Sequence, residues 1–446
     1  MNTFLRTFVI VFACGVFFTP SLSKPITRQK ANDVAKAFFA SKDVEGNAIL
    51  AYPIASTRGS ESSSAPYYIF NSSDNKGFVI VAGDDDSESI LGYSSSGSFD
   101  YDNAPEGLKD LMEAYTKHLP TSQNTGTRAT EWKAVAPMLT TKWGQNYPYN
   151  QSCPVFFNGK RCLTGCVATA MAQVLYYNYK RYPDKVIKEL PRDIPSYECE
   201  TNWDGYGHLS VDGIPEGTTI DWQNMTDKLD ESTSKIASKA VADLMFYCAA
   251  SIRSDFGDYA SNGTGAKTLS SNARDADGIP LFVGADFCLK RYFNIDDTSD
   301  KSESTNAPSN WNNLIYNEMI NSRPVIYSGK DSNKNGHSFV IDGCNTNKMF
   351  HINWGWEGYC DGFYNLDAFT TKKGSFSQLP DIIYNIKPKV SSTINTLHDN
   401  YNKQINIYLI NGIKKSYMKP LYAKTLHGLS TGIIIIDGKK YLLNRN

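Results

Sequence analysis

Apolar residues recur at Ala31, Val34, Ala35, Phe38 and Phe39, the spacing of one helix face, and predict an amphipathic helix over 27–41. Two short apolar runs follow, YYIF (67–70) and FVIVAG (78–83), with a polar turn between them; both are predicted as strands. Leu108, Leu111, Met112, Tyr115 and Leu119 mark a second helix, and Val167, Ala170, Met171, Val174 and Leu175 a third. Three strand-like runs come later: RPVIYSG, HSFVIDG and MFHINWGW. A helix followed by strands in the largest segment predicts an α+β domain with two lobes. Near the C-terminus, INIYLING and GIIIIDGKKYLL carry the turn pairs Asn411-Gly412 and Asp437-Gly438, which predicts a small all-β appendage.

Polar stretches punctuate this pattern. TSQNTGTRAT (121–130) has no apolar face and reads as an exposed linker. Residues 24–128 are therefore expected to form a small α+β unit on a cuttable tether, regulatory or merely N-terminal, and 129–388 the main domain. A Ser/Thr segment from Val390 to Leu397 separates the tail, 389–446, a size marginal for independent stability. At the start, a charged Arg6, the apolar run TFVIVFACGVFF and the small-residue pattern Ser21-Leu22-Ser23 predict a secretory signal peptide over 1–23. A lipid-modified Cys14 is a lesser reading, because Phe12 fits poorly and the apolar run continues past the cysteine. No later segment has the length and apolarity of a membrane span. The 446 residues suit two or three folded units. A net charge of −1 favours neither nucleic acid nor an anionic membrane as partner.

Candidate chemistry centres on RCLTGCVATAMAQ (161–173). Cys166 follows Gly165 at the threshold of the Ala/Val/Met helix, where unpaired amides and the helix dipole stabilise a thiolate. Cys162, four residues earlier, sits in loop sequence. On position alone a small buried hydrophobe remains the commoner fate of a lone cysteine. The nine cysteines lack the paired C-x-x-C spacing of a zinc site. Of six histidines, three fall in the main domain. His208 lies in WDGYGHLS, expected as a surface loop; His351 lies inside a strand, where a packed role is usual; His337 opens the strand HSFVIDG after a flexible loop and is the preferred base. Asn353, in NWGW, could orient that base, with Trp354 shielding the pair. Gln145, in WGQNYP, is the preferred side-chain donor for an oxyanion beside the Cys166 amide, with Asn146 the weaker choice.

Taken together and in order, KWGQNYPYN, TGCVATAMAQ, GHSFVIDG and HINWGWEGYCDGFYNLD resemble the streptopain family of secreted bacterial cysteine proteases, which have a papain-like two-lobe fold. IDWQNM and RPVIYSG resemble the family as well, and GFVIVAGDDDSESILGYSSSGSFD resembles its propeptide, so the likeness spans roughly 27–388. The resemblance implies Cys166 as nucleophile, His337 as general base, Gln145 in the oxyanion hole, and Asn353 with Trp354 as the orienting pair. It further implies Gly336 and Gly165 along the substrate cleft, protein substrates, the chain's own pro-domain as inhibitor, and no metal or organic cofactor. A family preference for a hydrophobic side chain two residues before the scissile bond comes with it. The family's glycine-rich loop after NWGW is replaced by the shorter TTKKGSFSQLP, and the extra cysteines suggest Cys153–Cys162 and Cys344–Cys360 as disulfides. The tail resembles a C-terminal sorting domain of type IX secretion, which would add that machinery as a partner. Maturation is expected by a cut near the 121–130 linker, with Arg128 a candidate position.

Two rival functions fit parts of the pattern. A papain-like acyl-transfer enzyme, such as a transglutaminase or a cell-wall peptide amidase, would use the same Cys/His/Asn set. A non-catalytic surface adhesin built on a dead protease would not need every catalytic position filled, as here they are.

Overall fold

The structure, a computed structural model, describes residues 23–44, 46–53, 65–117, 119–120, 131–203, 207–257, 263–297, 299–303, 311–330, 336–370, 378–389, 404–409, 414–418, 432–436 and 439–443. The expected signal peptide up to residue 22, the 121–130 linker with Arg128, and most of the TTKKGSFSQLP loop (371–377) lie outside the described residues.

The chain divides into two compact units, 1–389 and 390–446. The first opens with helix α1 (Arg28–Ser41), capped by Thr27, whose hydroxyl accepts from Lys30 N. Its stripe buries Ala31, Ala35 and Phe39 against the strands that follow. These are β1 (Ala48–Tyr52), β2 (Tyr67–Ser72), β3 (Phe78–Ala82) and β4 (Ile90–Ser94). Helix α2 (Glu106–Lys117) has Glu106 in its first turn and Lys117 in its last, matching the helix dipole. Helix α3 (Cys166–Arg181) comes next, then the hairpin β5 (Tyr197–Trp203) and β6 (Gly207–Val211). Helices α4 (Lys235–Ser251) and α5 (Ala285–Phe293), strand β7 (Asp300–Glu303) and helix α6 (Trp311–Ile320) lead into the strands of the second lobe. Those are β8 (Val325–Lys330), β9 (Gly336–Cys344), β10 (Phe350–Asn353) and β11 (Gly362–Tyr364), then a short helix α7 (Asp367–Thr370) and β12 (Gln378–Tyr384).

Ten of these strands form one antiparallel sheet in the order β1-β2-β3-β4-β11-β10-β9-β8-β12-β7. The first four come from the N-terminal region and the rest from the main domain. The junction pairs Tyr93 with Phe363 and Gly92 with Tyr364. It is reinforced by Asn365 N donating to Leu91 O (2.9 Å) and Ser94 Oγ donating to Asp361 O (2.7 Å). Tyr115 Oη, from α2, sits between the carbonyls of Leu91 and Asn365 at 2.9 and 2.7 Å. The N-terminal region is thus built into the same sheet as the main domain.

Alternation along β9 sorts its side chains between two cores. Val340 joins the cluster of α3, α4 and α5, whereas Phe339 and Ile341 join the cluster of α2 and α6. The second compact unit is a four-stranded antiparallel sheet, β14 (Lys414–Met418), β13 (Gln404–Leu409), β15 (Gly432–Ile436) and β16 (Lys439–Leu443) in that order.

Three expectations need correction. His208 stands in β6 rather than in a loop, with Nδ1 2.9 Å from Cys199 O. The pairs Cys153–Cys162 and Cys344–Cys360 are not disulfides; no disulfide joins any of the eight described cysteines. Cys344 lies opposite Phe350 at the start of β10, while Cys360 lies beneath Trp354 beyond its end. Four residues of strand span about 13 Å, too far for a bridge that needs Cα atoms within about 7 Å. Cys162 donates its N–H to Pro154 O, so Cys153 falls one step off the opposing position.

Candidate active site

Gly165 ends the loop before α3 at φ 86°, a left-handed conformation that a side chain disfavours, and any Cβ there would press on Thr264. It caps α3 without a side-chain acceptor, so the first-turn N–H groups are not consumed by a cap. Cys166 opens the helix at that point. Thr164 N donates to Gln145 O (3.2 Å), which ties the cysteine loop to the glutamine loop. Thr169, one turn on, donates to Gly165 O (2.9 Å) and meets Thr164 Oγ1 (3.0 Å).

The sulfur of Cys166 lies 3.9 Å from Gly336 O, at the start of β9. The residue keeps partial exposure, yet its dense surroundings push the thiol pKa up; hydrogen bonds from Ser338, Val167 and its own amide act the other way. The site therefore favours a neutral thiol in this form.

His337 is the neighbour of Ser338, and the pleat sends the two side chains to opposite faces. Ser338 Oγ meets Thr268 Oγ1 (3.0 Å) on the Cys166 side. The His337 ring lies with Phe339 on the other side, with Nε2 4.0 Å from Asp110 Oδ2 of α2. His351 is held by Asp342, Nδ1 to Oδ1 at 2.6 Å, in a buried pair whose other carboxylate oxygen accepts from Leu139 N (2.8 Å).

Asn353 ends β10 opposite Val340, so His337 stands three residues further out along β9. The Asn353 amide is fixed by backbone groups: Nδ2 donates to Thr141 O (2.9 Å) and Oδ1 accepts from Gly355 N (3.0 Å). Oδ1 also accepts from Gln173 Nε2 (3.0 Å), and Gln173 Oε1 accepts from Thr141 Oγ1 (2.7 Å). All three residues are buried, so an amide oxygen left bare there would cost about 1–3 kcal/mol. Trp354 donates Nε1–H to Cys360 O (3.0 Å) and packs its ring against Phe339 and Tyr364. Its outer edge meets α2 at Gly107, where an added Cβ would lie 2.9 Å from the indole.

Of the residues singled out in the sequence, the fold brings together Cys166, Gly165, Gln145 and Gly336 around the start of α3, with Asn353 and Trp354 behind them. His337, at the start of β9, has its Nε2 4.0 Å from Asp110 Oδ2 of α2. Gln173 and Asp110 enter the site unannounced. The signal for Gln173 was a lone amide seven residues after Cys166 on an apolar helix; Asp110 had no comparable signal. Among the described residues no helix is long and apolar enough to cross a membrane, and no cluster of ligands suits a metal ion.

Residues 143–364 match the Peptidase C10 family, and residues 23–119 match the Spi protease inhibitor family. Streptopain of Streptococcus pyogenes serotype M28 is 30% identical over 356 residues, covering 74% of this chain and 83% of that protein. The thiol protease/hemagglutinin PrtT of Porphyromonas gingivalis is 27% identical over 398 residues, 82% of this chain and 42% of that protein. A prointerpain A fragment from Prevotella intermedia superposes with a TM-score of 0.57 at 27% identity, covering 77% of this chain and 99% of its own. An inhibitor-type region joined through one sheet to a domain with a cysteine at a helix start is the arrangement of a protease precursor, and the chain belongs to the Peptidase C10 family of cysteine peptidases.

Proposed function

We propose that the chain is the latent form of an exported endopeptidase in which Cys166 and His337 are kept apart by the N-terminal region. The observation that carries this reading is the partner taken by His337: its Nε2 lies 4.0 Å from Asp110 Oδ2 of α2, while the Cys166 sulfur lies 3.9 Å from Gly336 O. Residues 1–23 act as signal peptide, 24–128 as inhibitory pro-domain, 129–388 as the peptidase and 389–446 as a sorting tail read by type IX secretion machinery.

Removal of the pro-domain takes away α2 and frees His337 to turn toward Cys166. Cys166 and His337 then form a thiolate–imidazolium pair, favoured by the helix N-terminus. The thiolate attacks the scissile carbonyl, and the Cys166 amide and Gln145 hold the resulting oxyanion. His337 protonates the leaving amine, then takes a proton from the water that hydrolyses the thioester. Asn353 orients the ring, and Trp354 covers that contact. Gly165 and Gly336 line the cleft where the substrate backbone passes.

A peptidyl chloromethyl ketone given to the processed enzyme tests the assignment. The label is expected on the peptide bearing Cys166 and on none of the other thiols, as read by mass spectrometry. Labelling spread over Cys153, Cys162 or Cys199 would remove Cys166 from its role.

Latency in this reading depends on α2 lying flat on Trp354. A Gly107→Leu side chain would be driven into the indole, and overpacking of about 1–3 kcal/mol outweighs the roughly 1 kcal/mol gained in helix propensity. Release of the pro-domain is expected to be about tenfold faster, followed as conversion to the short form on gels. An unchanged time course would show that α2 does not hold this face.

A further inference from the structure

The turn after Trp354 carries an acid with no structural employment. Glu357 stands at φ 56°, a left-handed conformation seldom adopted by a residue of this kind. Its amide donates to Trp143 O (3.1 Å), and its side chain lies on Gly144, where an added Cβ would come within 2.7 Å of Glu357 Cγ. Together with Gly144, Gln145, Asn146, Leu163 and Trp356 it lines a small hollow beside the start of α3. Glu357 is exposed and Trp356 half-buried. Lys142, whose side chain packs beside Gly358, pairs with Asp361 at 2.9 Å. Among the described residues Glu357 makes no ion pair.

Which side of the scissile bond this hollow serves follows from the chemistry of the reaction. The leaving amine must lie beside the group that protonates it, and the orienter of that group, Asn353, begins the turn that ends at Glu357. The residue attached to the leaving nitrogen therefore passes over Trp356 and Glu357. A carboxylate beside an indole face is the pairing that recognises an ammonium or guanidinium group, by charge and by cation–π contact. Asp230 adds a second negative charge on this side: burial first, then the carboxylates of Glu357 and Asp230, push the Tyr149 phenol up to about 12, against a hydrogen bond from Leu229.

We infer that Glu357, with Trp356, selects substrates carrying lysine or arginine immediately after the cleaved bond. The inference rests on the peptidase reading above and adds a specificity on the leaving-group side of the same cleft.

Three quenched fluorescent peptides, identical except for Lys, Gln or Glu after the scissile bond, test it on the processed enzyme. Product masses confirm that the same bond is cut. An exposed ion pair is worth little, so kcat/KM for Lys over Glu is expected at about fivefold in low salt, shrinking at 0.5 M salt. Glu357→Gln is expected to bring the ratio close to one, and Glu357→Lys to invert it. A wild-type ratio within twofold of one, or a preference that survives Glu357→Gln, overturns the inference while leaving the peptidase reading intact. Failure to cut any of the three peptides removes the peptidase reading and this inference with it.

Discussion

Cys166→Ala is expected to lower peptide hydrolysis at least about 10⁴-fold and to stop self-maturation, with the chain still folding. The side chain is small and stands at a helix start that Gly165 shapes by backbone alone, so its loss leaves the loop geometry in place. A companion measurement separates latency from chemistry. In the intact chain burial pushes the thiol pKa up, so the thiolate is scarce at neutral pH. Alkylation of Cys166 by iodoacetamide should then rise only as pH climbs above the ordinary thiol range. In the processed enzyme the imidazolium partner holds the thiolate, and alkylation should persist well below neutral pH. Identical pH profiles for the two forms would mean that His337 is not brought to Cys166. Residual hydrolysis by the alanine variant close to wild type would place the nucleophile elsewhere.

Gln145→Ala is expected to reduce kcat by about 10²–10³ while leaving KM nearly unchanged. The reason is the timing of the contact: an oxyanion exists only after the thiolate has attacked, so its donor contributes to the transition state and not to the bound substrate. The structure supports that placement, since Thr164 N grips Gln145 O and holds the glutamine loop against the residue pair preceding Cys166. The Cys166 amide remains as the other donor, which is why the variant is slow instead of inert. Steady-state kinetics on one peptide decides the matter. A raised KM with kcat intact would make Gln145 a substrate-binding residue and leave the oxyanion to another group.

The parts of this molecule that local chemistry dictates could be read from the chain. Cys166 at the threshold of an apolar helix, α1 with its Thr27 cap, and the alternating strands β8, β9 and β10 all follow from spacing within a dozen residues. The pairing of β4 with β11 could not be read in that way. Ser94 and Asp361 are 267 positions apart, and an apolar strand edge carries no mark of which distant edge it will meet. The same limit hid the state of the site. Alternation puts His337, Phe339 and Ile341 on one face of β9, but only the tertiary fold shows that α2 covers that face. Gln173 was hidden differently: a buried amide on a helix is explained only once Asn353 and Thr141 are seen to complete its hydrogen bonds.

The seam at β11 also bears on the processed enzyme of the proposed function, which would lack the N-terminal region. Strand β4 leaves with it, and the backbone groups of Gly362–Tyr364 lose their neighbour. The sheet edge, formed by β1 in the intact chain, then moves to β11, and an exposed edge is the usual starting point for strand-to-strand aggregation. Here the rim is only three residues long, and it is bounded by the Trp356–Cys360 turn on one side and α7 on the other. So short a rim offers a second chain too few hydrogen bonds to grow from, so the peptidase can shed its partner strands without becoming a template for its own precipitation.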